Sequence, residues 1–154
     1  MLPERSTWIY ALTALSLNVV KAITEDLTEN CSVRFKALPQ SGLGMLKFKD
    51  SAFHEPYFLG EFPVSSAWVE ITQPEGTKIE GAAQVMDDDV ELASALAIAD
   101  AILANKIPGW EQLAEQISIG MELRDEENRI RKAMLSKTSV DFSLLSETES
   151  KSDD

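Results

Sequence analysis

One histidine, one cysteine, a run of three aspartates and a Gly-Leu-Gly string are the residues of this 154-residue chain whose types and spacing could do chemistry. His54, between Phe53 and Glu55, is the only histidine, and so the only side chain that ordinarily titrates near neutral pH. It falls in a predicted loop. Serines are plentiful, but no Gly-x-Ser-x-Gly elbow occurs to serve as its partner, and no catalytic triad is assigned. Asp87-Asp88-Asp89 could hold magnesium through carboxylate oxygens and retained waters. Consecutive side chains diverge on a helix, however, and the triplet stands where a helix start wants a capping acceptor and negative charge, worth about 0.3–1 kcal/mol each. Capping is the preferred reading, and no metal ligand is assigned. Gly42-Leu43-Gly44 is not followed by the Lys-Ser/Thr of a phosphate loop and lies between two predicted strands, so it reads as part of a hairpin turn. Cys31 reads as a small apolar filler. As the single cysteine it excludes an internal disulfide and any zinc or iron-sulfur site built from cysteines of this chain alone. Catalytic and cofactor-binding residues are therefore expected to be absent.

The elements that would carry these groups follow from periodicity. Trp8, Leu12, Leu15, Val19, Ile23 and Leu27 recur at steps of three and four and predict one helical face, with a break near Ser16 to Asn18 as the alternative. From Ser32 the period becomes two. Val33, Phe35 and Ala37 alternate with bases, Pro39-Gln40-Ser41-Gly42 reads as a turn, and Met45 to Lys49 alternates again, predicting a hairpin. After a turn cluster from Asp50 to Pro56 come Tyr57 to Glu61, then a strand with Ala67, Val69 and Ile71 on one face and Trp68, Glu70 and Thr72 on the other. Gln73-Pro74-Glu75-Gly76 is a turn into a strand from Thr77 to Met86. Strands joined by tight turns pair antiparallel. A helix from Val90 to Asn105 ends at Pro108-Gly109, and helical periodicity resumes at Trp110. Gly120 is expected to divide that helix from a more charged one, Arg124 to Leu135. Val140, Phe142 and Leu144 suggest a last strand.

The expected fold class is α+β, an antiparallel sheet packed against helices on one side, as a single domain over residues 1–145 with an acidic, disordered tail at 146–154. The net charge of −12 repels nucleic-acid phosphates and anionic headgroups, so neither nucleic acid nor membrane is expected as a partner. Residues 1–60 carry six acids and six bases, and residues 61–154 carry twenty acids and eight bases, so all of the excess lies in the C-terminal part. The uncharged run from Ser6 to Val20 is short of the ~20 residues that span a bilayer, and no cleavage pattern is evident, so a cytoplasmic protein is expected.

Along this frame, particular strings resemble the PhnG family, the G subunit of the bacterial carbon-phosphorus lyase core complex. They are Pro39-Gln40-Ser41-Gly42-Leu43-Gly44-Met45, Pro56 to Glu61, Val69, Gly81, Ala93 to Leu103 with Asp100-Ala101, and Val140-Asp141-Phe142. The matching positions are Gly42, Leu43, Met45, Gly60, Glu61, Val69, Gly81, Asp89, Asp100, Ala101, Val140, Asp141 and Phe142. The resemblance runs in order from Trp8 to Glu147.

It implies an accessory subunit in phosphonate catabolism. The G, H and I subunits with L transfer the ribose triphosphate of MgATP to an alkylphosphonate and release adenine. The J subunit then cleaves the carbon-phosphorus bond with S-adenosylmethionine and an iron-sulfur cluster. Partners implied are H, I and J, with K and L as further candidates, and no cofactor is expected on this chain. Three arginines of the family pattern are missing. Ser65-Ser66 stands for Thr-Arg, Asp87-Asp88 for Gly-Arg, and Ser146-Glu147 for Arg-Gly, so the altered positions are 66, 88 and 146. An apolar patch including Trp68 or Trp110 is the expected docking surface. The competing expectation is a divergent regulatory module that binds a basic partner through the acidic C-terminal part.

Overall fold

The computed structural model describes residues 2–137. The expected strand from Val140, the positions Asp141 and Phe142, the substitutions at 146 and 147 and the acidic tail lie outside the described residues. By compactness the chain divides into two units, residues 1–121 and 122–154.

The first unit opens with α1 (Arg5–Leu12) and α2 (Leu17–Leu27). The predicted face breaks at Thr13 to Ser16, earlier than expected, and the break changes its phase. Trp8, Leu12, Val20 and Thr24 are buried, whereas Val19 is 40% exposed. Trp8 is anchored by its indole N–H, which donates to the Pro3 carbonyl at 3.0 Å.

Three strands follow, β1 (Ser32–Lys49), β2 (Pro56–Thr72) and β3 (Lys78–Val85), in one antiparallel sheet of order β1-β2-β3. The hairpin expected within residues 33–49 is not formed. β1 runs straight through Pro39 to Gly44 and pairs along its whole length with β2, Ser32 opposite Thr72 and Lys49 opposite Pro56. Pro39 sits where the register slips between Ala37 and Gln40 on an edge strand, so its missing N–H breaks no regular ladder. Gly44 lies opposite Phe62, whose ring covers it. Long-range pairing with β2 overrides the local turn propensity. The turn that reverses the chain is Asp50 to Glu55, where the Asp50 carboxylate accepts from the Phe53 N–H at 2.6 Å. The turn at Gln73 to Gly76 forms as expected, with Gly76 at φ 91.

The faces of β2 are as predicted. Ala67, Val69 and Ile71 are buried, while Trp68 is 44% exposed. Onto the buried face packs α3 (Val90–Asn105), whose other side receives α1 and α2. Because α3 is enclosed on several sides it has almost no polar face, and its alanines let neighbours approach closely. Asp89 caps it, accepting from the Leu92 N–H at 2.9 Å, and Lys106 ends it in the left-handed conformation at φ 50.

The last helix, α4 (Glu111–Lys137), is continuous through Gly120, against expectation. A Cβ there would fall on the backbone carbonyl of Ala11, so glycine serves a close approach of α1 instead of a helix break. Leu113 and Ile117 are buried in the first unit. The described part of the second unit is the C-terminal stretch of α4, residues 122–137. The α+β class with an antiparallel sheet packed against helices therefore holds. Among the described residues no helix is long and apolar enough to cross a membrane.

Candidate interaction surface

The groups singled out for chemistry are scattered. His54 is exposed in the 50–55 turn at φ 56, and its backbone N–H donates to the Asp50 carbonyl. Cys31 is half-buried behind α2, where burial first and the charge of Glu75 second push its thiol pKa up and disfavour the thiolate. Asp89 is occupied in capping α3. The Asp87 carbonyl accepts from the Ser65 hydroxyl at 2.8 Å, and the side chains of Asp87 and Asp88 face solvent. No cluster of three or more His, Cys, Asp or Glu able to hold a metal occurs among the described residues. Trp110 packs against the core and is topped by Lys106, so of the two tryptophans proposed for docking only Trp68 is available.

Four of the remaining singled-out positions, Val69, Gly81, Asp100 and Ala101, meet where α3 crosses the sheet. Val69 is fully buried opposite Gly81. A Cβ on Gly81 would strike the Ala97 carbonyl and the Ala101 amide, so the glycine sets how closely the helix lies on the strand. One turn along, the buried carboxylate of Asp100 receives Arg5 in a two-pronged contact, Nε to Oδ1 at 2.8 Å and Nη2 to Oδ2 at 2.6 Å. It also accepts the Ala82 N–H at 3.1 Å. β3 is an edge strand, so Asp100 satisfies a backbone donor that would otherwise seek another chain. The hydrogen-bonded carboxylate keeps the Arg5 pKa above its ordinary value. A lone acid inside an Ala-rich apolar run was visible as an anomaly; its partner 95 residues away was not.

The other singled-out positions, Gly42, Leu43, Met45, Gly60 and Glu61, lie together on the part of the β1–β2 hairpin that outruns β3. β3 pairs with β2 only from Ser65 to Thr72, so the ribbon beyond Val64 has two strands. Its apolar side chains face water: Leu43 is 69% exposed, Met45 60% and Phe58 61%. Phe48 and Tyr57 add a cross-strand aromatic pair with centroids 6.3 Å apart. Leu43 and Met45 share one face and Leu46 lies on the other, so neither face is polar. A Cβ at Gly42 or Gly60 would meet nothing within 4 Å, and neither has positive φ, so nothing among the described residues requires glycine there.

Nearer the core, the helix-free face of the sheet forms a shallow trough of about 410 Å³ lined by Leu38, Gln40, Ser66, Trp68, Ala82 and Gln84. Ser66, one of the altered arginine positions, is in its wall. Lys36 stacks over Trp68 at 4.5 Å and bonds Glu80 at 2.6 Å, and Glu70 pairs with Arg34 at 3.1 Å and Lys78 at 3.3 Å.

These pairings depress two carboxyl pKa values. Glu80 is lowered first by the Lys36 hydrogen bond, and Glu70 first by Arg34 and then by Lys78. Native pKa values below the unfolded ones stabilise the fold above the ordinary glutamate range, and the contribution is lost as pH falls through the native values. Urea midpoints measured from pH 7 to pH 3 are expected to drop on the acid side, with a shallower drop in Glu70→Gln/Glu80→Gln and in high salt. An acid limb identical in the variant would refute the assignment.

Apolar side chains that no described residue covers, on a two-stranded arm, are uncommon for a protein that works alone. Such ribbons are marginal in water, and patches of this kind mark protein contacts. A family model described as "Phosphonate metabolism protein PhnG" matches residues 3–146. No curated protein matches the chain.

Proposed function

The chain belongs to the PhnG family of phosphonate metabolism proteins, and on that premise we propose that it is an accessory subunit of a carbon-phosphorus lyase core complex that docks through its hairpin arm. Its contribution is shape and adhesion. The transfer of ribose triphosphate from MgATP to an alkylphosphonate, and the later radical cleavage with S-adenosylmethionine and an iron-sulfur cluster, fall to the H, I, J and L subunits. The single observation that carries this reading is the exposed apolar arm with its unconstrained glycines.

Burying a side chain such as Leu43 or Phe58 contributes about 1.5–3 kcal/mol, and an interface is dominated by a few such anchors. Co-expression with the H, I and J subunits followed by affinity purification is expected to recover this chain in the complex. Leu43→Glu/Phe58→Glu should lower its recovery by about tenfold or more while leaving its own melting temperature unchanged, since both positions are solvated. A complex that assembles without this chain, or retains the double variant in full, would overturn the proposal. The alternative of a regulatory module for a basic partner draws support from the acidic excess in residues 61–154. It predicts capture of a basic protein that weakens steeply with salt.

A further inference from the structure

We propose that residues 122–137 of α4 form an antiparallel, two-fold contact with the same segment of a second copy of this chain. Leu123, Ile130 and Met134, spaced at i, i+7 and i+11, lie on one helical stripe and are 44%, 48% and 65% exposed. Charge along this stretch is segregated. Glu122, Asp125, Glu126 and Glu127 come first, and Arg129, Arg131, Lys132 and Lys137 follow, with Arg124 already bonded to Glu127 within the helix.

A parallel pair would set like charge against like. An antiparallel pair with its axis midway between residues 128 and 129 sets Glu126 and Glu127 against the basic half of the second copy, and Leu123 against its Met134. The self-complementarity of a two-fold contact is what this inverted pattern supplies. The intrahelical pairs Arg124–Glu127 and Glu126–Arg129 do not stand in the way, because exposed i,i+3 ion pairs are weak and exchange readily for intermolecular ones. With roughly four turns of helix from each copy the contact is small, so association should be reversible and concentration-dependent.

Sedimentation equilibrium on the full chain tests this. The wild type is expected to show a monomer–dimer equilibrium that weakens with salt. Glu126→Arg/Glu127→Arg and Arg129→Glu/Arg131→Glu should each raise the dissociation constant by about tenfold or more, and an equimolar mixture of the two should associate again. Circular dichroism at 222 nm verifies that the variants stay folded.

For orientation, in a Cys31→Ser background, Leu123→Cys mixed with Met134→Cys should cross-link on oxidation. Leu123→Cys alone should not, its two copies being about 16 Å apart along the axis. A monomer at all concentrations, a dimer indifferent to the charge reversals, or a self-cross-linking Leu123→Cys would each overturn the proposal. The first would leave the stripe to a different partner, the second would move the contact to another face, and the third would make it parallel.

Discussion

Replacing Gly81 by alanine is expected to destabilise the protein by about 3 kcal/mol, the upper end of what forced overpacking costs. Two effects oppose each other at this position. Alanine in a strand is favoured over glycine by roughly 0.5–1 kcal/mol through backbone entropy, so in open space the change would be mildly stabilising. Here the added methyl lands on the Ala97 carbonyl and the Ala101 amide, which are helix backbone and cannot rotate away. Either α3 lifts off β3, loosening the packing of Val69 and Leu96, or the strand bends. At this chain length each kcal/mol corresponds to about 3–4 °C, so a thermal melt should fall by about 10 °C. Gly60→Ala is the control, since a Cβ there meets nothing, and its midpoint should stay within about 2 °C of the wild type. Equal midpoints for the two variants would show that the close approach of α3 to β3 is not the constraint inferred.

The second large effect is expected at Asp100. Asp100→Ala removes both Arg5 hydrogen bonds and leaves the Ala82 N–H without its acceptor, while relieving the desolvation of a carboxylate whose side chain is only 7% exposed. The guanidinium is 60% exposed, so its share must be discounted for solvent screening. The orphaned backbone donor and the lost charge-assisted bonds still outweigh the relief, and a net loss of about 2–3 kcal/mol is expected from urea denaturation. Arg5→Ala should cost a comparable amount for the complementary reason, since it strands a buried charge. The double variant should then cost clearly less than the sum of the two, with a coupling of about 1 kcal/mol or more in the cycle. Additive costs would mean that the pair is incidental.

How far these sites were legible differs from residue to residue. The span of α3 from Val90 to Asn105, a cap within Asp87 to Asp89 and the alternation of Ala67 to Ile71 could be read from the chain, because each reports on neighbours within a turn or a strand. The continuity of β1 could not. Pro39, Gly42 and Gly44 carry a turn signal by local propensity, yet 15 residues of pairing with β2 outweigh it. Gly120 misled for the same reason, since its glycine answers to Ala11 and not to its own helix. Of the site residues, Leu43, Met45 and Phe58 were visible as apolar, but nothing local showed that they stay uncovered where β3 ends.

What the amino-acid order determined unaided was the α+β class, the antiparallel pairing and the family, since these rest on periodicity, turn chemistry and colinear strings. Only the tertiary structure decided that Asp100 reaches back to Arg5, that α3 rides on Gly81, and that the hairpin arm extends past the sheet with its apolar side chains in water. These depend on which distant segments meet, and a local pattern specifies how a segment folds without specifying what covers it.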